Sequence, residues 1–384
     1  MPSGASASRA GTIVGLFPAL LSVGGVQEAG RLTAAALSDI AARRGWAADF
    51  LSLNDSRDAQ TFQAGEIRIG FRAFDRHKVR FSLAAIARAR RAVRSGPVVA
   101  FAAHPNLAFP AGWMQRAAPA LKTIILAHGI EVWTPLPLLR RGALLRANRV
   151  LAPSADTAQK LTSVQGVPAD RVGVVPWPLG AEFLRWAASP ADLPLPAGFP
   201  QGRVILTVGR WAASEQYKGA DELIRAVARL RAEIPDVRLA VVGTGDDLPR
   251  LKKIAAELGV GDHVHFLGGV SREELAGCYA RADVFALPST GEGFGFVFLE
   301  AMAFRKPVVG AACGGTTDVI EGGVNGLLAP PRETEPLIRA LKELLADESL
   351  RLAMGQRGAE IVRTKYSFDA FRAGLEAEID KVTG

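Results

Sequence analysis

At 384 residues, with 49% hydrophobic and 22% charged side chains, the chain exceeds what one core usually holds, so two globular domains are expected and a disordered or fibrous chain is excluded. Two cysteines, Cys278 and Cys313, are too few for a disulfide framework, and no Cys/His spacing is that of a zinc site. The net charge of +8 is uneven: residues 1–175 carry 22 Lys/Arg against 10 Asp/Glu and the remainder 24 against 28, so halves of +12 and −4 face different partners.

The first ten residues read as disordered and lack the apolar stretch of a signal peptide, and no run approaches the roughly 20 apolar residues of a membrane span. A cytoplasmic protein is expected, with membrane contact peripheral at most. Thr12 to Phe17 reads as a first strand, followed by a turn at Gly24-Gly25 and a helix from Glu28 to Arg43. The two glycines let a backbone approach a ligand, or they merely make the turn. The apolar runs Val98–Ala103 and Thr123–Ala127 each end in a histidine, His104 and His128. That end of a strand in an open α/β sheet lies over the ligand crevice, although a lone histidine is more often structural. Strands at Arg149–Ala152 and Arg171–Val175 close the first sheet, with Ser154 an N-cap between them.

Residues 187–202 carry four prolines and little periodicity, as an interdomain linker does. Five short apolar runs follow, at 204–208, 238–242, 264–267, 284–287 and 307–309. Helical stretches separate them at 220–234, 247–258, 271–281 and 297–305, so the second half is a doubly wound parallel sheet. The first half alternates in the same way. Two Rossmann-like domains are predicted, 1–186 and 203–365. Val242-Gly243-Thr244-Gly245 is half of a dinucleotide fingerprint, but Leu248 stands where the third glycine belongs, so it reads as a turn.

Ser289 to Met302 carries the strongest functional signal. Gly291, Gly293 and Gly295 follow a strand and open a helix, the arrangement that presents main-chain N–H groups to an anion, and Glu292 and Glu300 frame the loop. Upstream, Arg210 directly follows a strand and Lys218 lies in the loop before the next helix. A departing nucleoside diphosphate requires such cations and N–H donors. Solvated surface charge is the alternative for each.

In order along the chain, Gly24-Gly25, His128-Gly129-Ile130-Glu131, Val208-Gly209-Arg210, Lys218-Gly219, Glu292 to Ala303, Lys306-Pro307 with Gly314-Gly315, and Asn325-Gly326 resemble the retaining GT-B glycosyltransferases of family 4. The resemblance covers the whole chain. It implies two Rossmann-like domains facing across a cleft, a final segment 366–384 crossing back to the first, and transfer of a hexosyl residue from UDP-hexose or GDP-mannose to a glycan acceptor.

The resemblance also implies roles. Arg210 and Lys218 would hold the diphosphate with Gly24, Gly25 and the amides of Gly293, Phe294, Gly295 and Phe296. Glu300 would take the ribose, Glu292 the sugar hydroxyls, Gly268 the base, and His128 would position the sugar. With no Asp-x-Asp motif, neither a bridging metal nor a cofactor is expected. A nucleotide-sugar epimerase and a non-catalytic sugar-nucleotide binder remain the rivals. Two departures, Thr316-Thr317-Asp318 for a Pro-Glu pair and Pro176-Trp177-Pro178 for an Asn-Gly turn, leave the sugar and the hinge open.

Between Arg68 and Arg94 lie nine basic residues and one acid, with apolar residues at helical spacing. Arg88, Arg90, Arg91 and Arg94 on this amphipathic stretch, with His104, mark the acceptor side. An anionic membrane surface and a lipid-diphosphate-linked acceptor fit it, a solvated helix face is the alternative, and with no recognised binding motif nucleic acid is not expected.

Overall fold

A computed structural model describes residues 10–22, 24–58, 60–64 and 67–384. Residues 1–9, on which most of the expected disordered start falls, lie outside the described residues. The chain divides into two units, Met1–Pro178 with Phe368–Gly384, and Leu179–Ser367.

In the first unit, β1 (Thr12–Phe17), β2 (Ala47–Ser52), β5 (Arg72–Ala73), β6 (Val98–Ala102), β7 (Lys122–Leu126), β8 (Arg149–Ala152) and β9 (Val172–Val174) form one parallel sheet in the order β5-β2-β1-β6-β7-β8-β9. A separate antiparallel hairpin joins β3 (Thr61–Ala64) to β4 (Ile67–Gly70). Helices α1 (Gly25–Arg43), α2 (Lys78–Ala92), α3 (Ala108–Ala117), α4 (Leu138–Arg146) and α5 (Ala155–Ser163) connect the strands. Every residue of β6 and β8 is buried, which is why these strands, apart from Arg149, read as continuous apolar runs rather than alternating ones.

The second unit opens with α6 (Ala181–Ala188). Its sheet comprises β10 (Arg203–Val208), β11 (Val237–Val242), β12 (Val264–Gly268), β13 (Val284–Leu287), β14 (Val308–Ala311) and β15 (Gly326–Ala329), in the order β12-β11-β10-β13-β14-β15. Its helices are α7 (Ala220–Leu230), α8 (Leu248–Glu257), α9 (Arg272–Arg281), α10 (Phe296–Ala303), α11 (Thr316–Val319), α12 (Thr334–Ala346) and α13 (Glu348–Thr364). The closing helix α14 (Phe368–Thr383) returns to the first unit and packs on α1. Arg44 donates to Glu376 at 3.0 Å and to Asp380 at 2.8 Å, and the Phe371 and Trp177 rings stand 5.5 Å apart.

Two sequence expectations change. The stretch 187–202 is not a free linker: the boundary falls at Pro178, and the prolines belong to the second unit. Phe183 of α6 meets Tyr279 at 6.2 Å, Arg272 pairs with Glu182 at 2.8 Å, and a Cβ on Gly277 would stand 2.0 Å from the Pro194 carbonyl oxygen. In the basic stretch from Arg68 to Arg94 the amphipathic helix is present, but the segment leading into it forms short strands. Arg68 and Arg72 lie on β4 and β5, and the helix spans only Lys78–Ala92.

Candidate active site

Strand order locates the candidate site residues within each unit. In an open parallel sheet, ligands bind beyond the carboxyl ends of strands where the chain order reverses, because adjacent loops part there. In the second unit that point lies between β10 and β13, which pair directly. The loop after β10 carries Gly209, Arg210 and Lys218, and the loop after β13 carries Ser289 to Gly295.

These two loops are locked together. Thr290 N donates to Tyr217 O at 2.8 Å, and a Cβ on Gly291 would stand 2.7 Å from the Tyr217 ring. Gly219, with φ 73°, lies so close to Pro288 that an added Cβ would meet Pro288 Cγ at 2.9 Å. The consequence is that Lys218 stands beside Glu292. Burial holds the Lys218 ammonium below its usual range while the Glu292 carboxylate pulls it back up; burial likewise raises the Glu292 carboxyl, opposed by Lys218 and a hydrogen bond from Ser289.

A carboxylate not singled out from the sequence organises the cations. Glu215, 11% exposed, accepts from Arg210 and pairs with Lys218 at 3.0 Å, while Lys218 Nζ also donates to the Arg210 carbonyl at 3.3 Å. Its spacing of three residues before Lys218 on a helical turn was the available signal.

Gly295, with φ 89°, caps α10 in the left-handed region, so the amides that open the helix follow directly from the glycine loop. Behind it, Gly315 N donates to Glu292 O at 2.8 Å, and a Cβ on Gly315 would lie 2.3 Å from the Gly293 carbonyl oxygen. Phe294 packs against Phe296 at 5.5 Å and Tyr366 at 5.8 Å. Glu300 lies on the second turn of α10, where its Oε2 accepts from the Tyr279 hydroxyl at 2.8 Å. Gly268 ends β12 with φ 70°, and its carbonyl accepts from Gly243 N at 2.7 Å. Gly243 is explained by packing, since a Cβ there would stand 1.8 Å from the Gly209 carbonyl oxygen.

In the first unit the order reverses between β1 and β6. Gly24, with φ 147°, and Gly25 open α1 after β1. The preceding turn is held by Asp55, also missed from sequence, which accepts from Leu20 N at 2.7 Å and from Ser52 Oγ at 2.6 Å. His104 follows β6 and His128 follows β7, and their rings lie 5.2 Å apart. Burial first, then the neighbouring His128 and Arg140, push His104 down to about 3. Burial also lowers His128, whose Nε2 lies 2.7 Å from the Ala103 carbonyl. A carbonyl only accepts, so Nε2 carries the proton and Nδ1 is an acceptor.

Beside them opens a cavity of about 720 Å³, lined among others by Pro18, Lys78, Asn106, Leu138 and Arg140. Of the acceptor-side arginines, Arg88 pairs with Asp49, whereas Arg90, Arg91 and Arg94 are exposed and make no ion pair among the described residues. No group of three or more His, Cys, Asp or Glu able to hold a metal occurs among the described residues.

Two parallel-sheet units, with paired cations and a glycine-lined helix start at a strand-order reversal, define the GT-B class of fold, and the comparisons agree. The model described as "Glycosyl transferases group 1" matches residues 197–361 and "Glycosyltransferase Family 4" matches residues 31–179. The chain is 35% identical over 262 residues, 64% of its length and 67% of the relative's, to a GDP-mannose-dependent alpha-(1-6)-phosphatidylinositol monomannoside mannosyltransferase of Mycolicibacterium smegmatis. It is 34% identical to a D-inositol 3-phosphate glycosyltransferase of Nocardia farcinica, over 66% of this chain and 60% of that one. Among solved structures, Anabaena Alr3699/HepE in complex with UDP superposes with a TM-score of 0.73 at 19% identity, covering 96% of this chain and 99% of that one. The chain belongs to glycosyltransferase family 4 and is a glycosyltransferase that draws on a nucleotide sugar.

Proposed function

We propose that the chain is a retaining, metal-independent hexosyltransferase that moves mannose from GDP-mannose to a lipid-linked acceptor at an anionic membrane surface. The observation that carries the donor side is the Lys218–Glu292 juxtaposition with Arg210 held in place through Glu215. Cations anchored this way meet a diphosphate without rearranging. The relative named for GDP-mannose and a phosphatidylinositol acceptor supports mannose over a UDP-hexose.

In this reading the bond from the anomeric carbon to the diphosphate breaks with its electron pair passing to the leaving oxygen, where Arg210, Lys218 and the amides opening α10 stabilise the charge. The acceptor hydroxyl oxygen bonds to the same face of that carbon, and its proton passes to the leaving phosphate oxygen. Glu292 takes sugar hydroxyls and Glu300 the ribose. His128, neutral, offers Nδ1 to a sugar hydroxyl. The 720 Å³ cavity, lined by Lys78 and Arg140 as well as by Leu138 and Leu139, suits an acceptor that is part anionic and part lipid.

The test is a thermal-shift panel followed by transfer assays. GDP is expected to stabilise the protein, by roughly 2.7 kcal/mol at about 100 times its dissociation constant. Transfer is expected to persist in chelator, and the product to keep the donor's anomeric configuration by NMR. Stabilisation by UDP alone would replace the donor, and an inverted product or loss of activity in chelator would overturn the mechanism.

A further inference from the structure

A second cavity in the first unit, of about 680 Å³, lies away from the two histidines. Its walls carry three guanidinium groups, Arg57 after β2, Arg72 on β5 and Arg80 in the first turn of α2, over a floor that includes Phe71, Phe74 and Ala84. None of the three makes an ion pair among the described residues, whereas Arg88, two turns further along α2, is paired with Asp49. Arg72 stands over the Phe74 ring, its guanidinium carbon 5.4 Å from the ring centre. Three guanidiniums around one concavity, with no ion pair among the described residues, attract one chemistry, an oxyanion with several acceptor oxygens such as a phosphoryl group, which a guanidinium fork contacts through paired hydrogen bonds.

The rim identifies the molecule that carries the phosphoryl group. Val79 and Leu83, one helical turn apart on α2, are 72% and 59% exposed, and Leu83 itself lines the cavity. An apolar pair beside an arginine pocket faces a ligand whose charged group is joined to hydrocarbon. We propose that the pocket of Arg57, Arg72 and Arg80 binds the phosphodiester headgroup of an anionic phospholipid, with Val79 and Leu83 entering the acyl boundary. This rests on the membrane part of the proposed function and moves the specific contact from Arg90, Arg91 and Arg94 to the other end of α2. It is independent of the donor chemistry.

Co-sedimentation with phosphatidylglycerol and with phosphatidylcholine vesicles tests it on the full chain. The variant Arg57→Gln/Arg72→Gln/Arg80→Gln is compared with Arg90→Gln/Arg91→Gln/Arg94→Gln, which removes the same charge. All six arginines are exposed, and unfolding curves verify that both variants fold. The expected result is binding to phosphatidylglycerol vesicles only, weakened roughly tenfold or more in the first variant and much less in the second, with Leu83→Ser also weaker. Equal loss in both variants would overturn the site while leaving the membrane reading in place. Failure of wild type to bind phosphatidylglycerol vesicles would overturn both, and stabilisation of wild type but not the first variant by sn-glycerol 3-phosphate in that case would reassign the pocket to a soluble phosphate.

Discussion

Arg149, at the start of β8, donates through Nε to Glu378 of α14 at 2.6 Å, and both residues are buried, at 8% and 6% exposed. A Cβ on Gly173 of β9 would meet the Glu378 carboxylate carbon at 2.8 Å, so the glycine makes room for this pair. Residues 229 apart in sequence thus fasten the closing helix to the first sheet. Removing one partner leaves a charge buried without compensation, at a cost of about 3 kcal/mol. Glu378→Ala is expected to lower the unfolding midpoint of the first unit by several degrees, while Lys381→Ala, at the exposed end of the cluster, is expected to change it little. Thermal unfolding followed by tryptophan fluorescence checks this.

The cations of the donor site predict a kinetic signature. Lys218→Ala is expected to lower turnover by on the order of 10²-fold, because the lost charge acts on a phosphate whose charge grows in the transition state. Arg210, with a side chain 72% exposed, is more solvent-screened, so Arg210→Ala should cost less. Glu215→Gln frees both cations from their shared carboxylate and is expected to raise KM for the donor more than it lowers kcat. Full activity in both Lys218→Ala and Arg210→Ala would remove them from the chemistry.

Gly315 bears on the donor loop through space alone. Its φ of −64° suits any residue, yet a methyl group there would stand 2.3 Å from the Gly293 carbonyl oxygen. Gly315→Ala is expected to displace the Glu292–Phe294 segment at a cost of about 1–3 kcal/mol and to reduce donor affinity in proportion. Isothermal titration with the nucleotide measures it. Unchanged affinity would show that the loop gives way freely.

His104 sets a pH dependence. Its folded-state value is pushed down to about 3, below the 6.5 of an unfolded chain, so above pH 6.5 neither state binds the proton and the folded state loses nothing. As pH falls from 6.5 towards 3 the unfolded chain takes up the proton and the folded one does not, which costs at most about 1.4 kcal/mol per pH unit. His128 and Arg140, the charged or titratable neighbours that oppose protonation, sharpen this. His104→Asn is expected to lose less stability than wild type between pH 7 and 5, with His128 and His265, both lowered by burial, contributing to the remaining slope. Parallel thermal melts at the two pH values decide it.

Sequence alone determined β1 and β6 to β14 of the parallel strands, because strands covered on both faces are largely apolar, but not β2 or β15. It also marked Gly295, where the left-handed φ suits glycine, and Arg210, Lys218, Glu292 and Glu300, whose positions follow strand ends and helix starts. Partly exposed or two-residue elements such as β5, and the β3–β4 hairpin, left no such trace, since their partners rather than their composition make them strands. Tertiary structure decided that Glu215 joins Arg210 to Lys218, that Asp55 holds the turn before Gly24, that Pro194 packs on α9, and that Arg57, Arg72 and Arg80 share a cavity while Arg88 does not. Apart from Glu215, whose contacts are local, each of these depends on which loops a strand order brings side by side, and an order set by long-range pairing leaves no local period in the chain to be read.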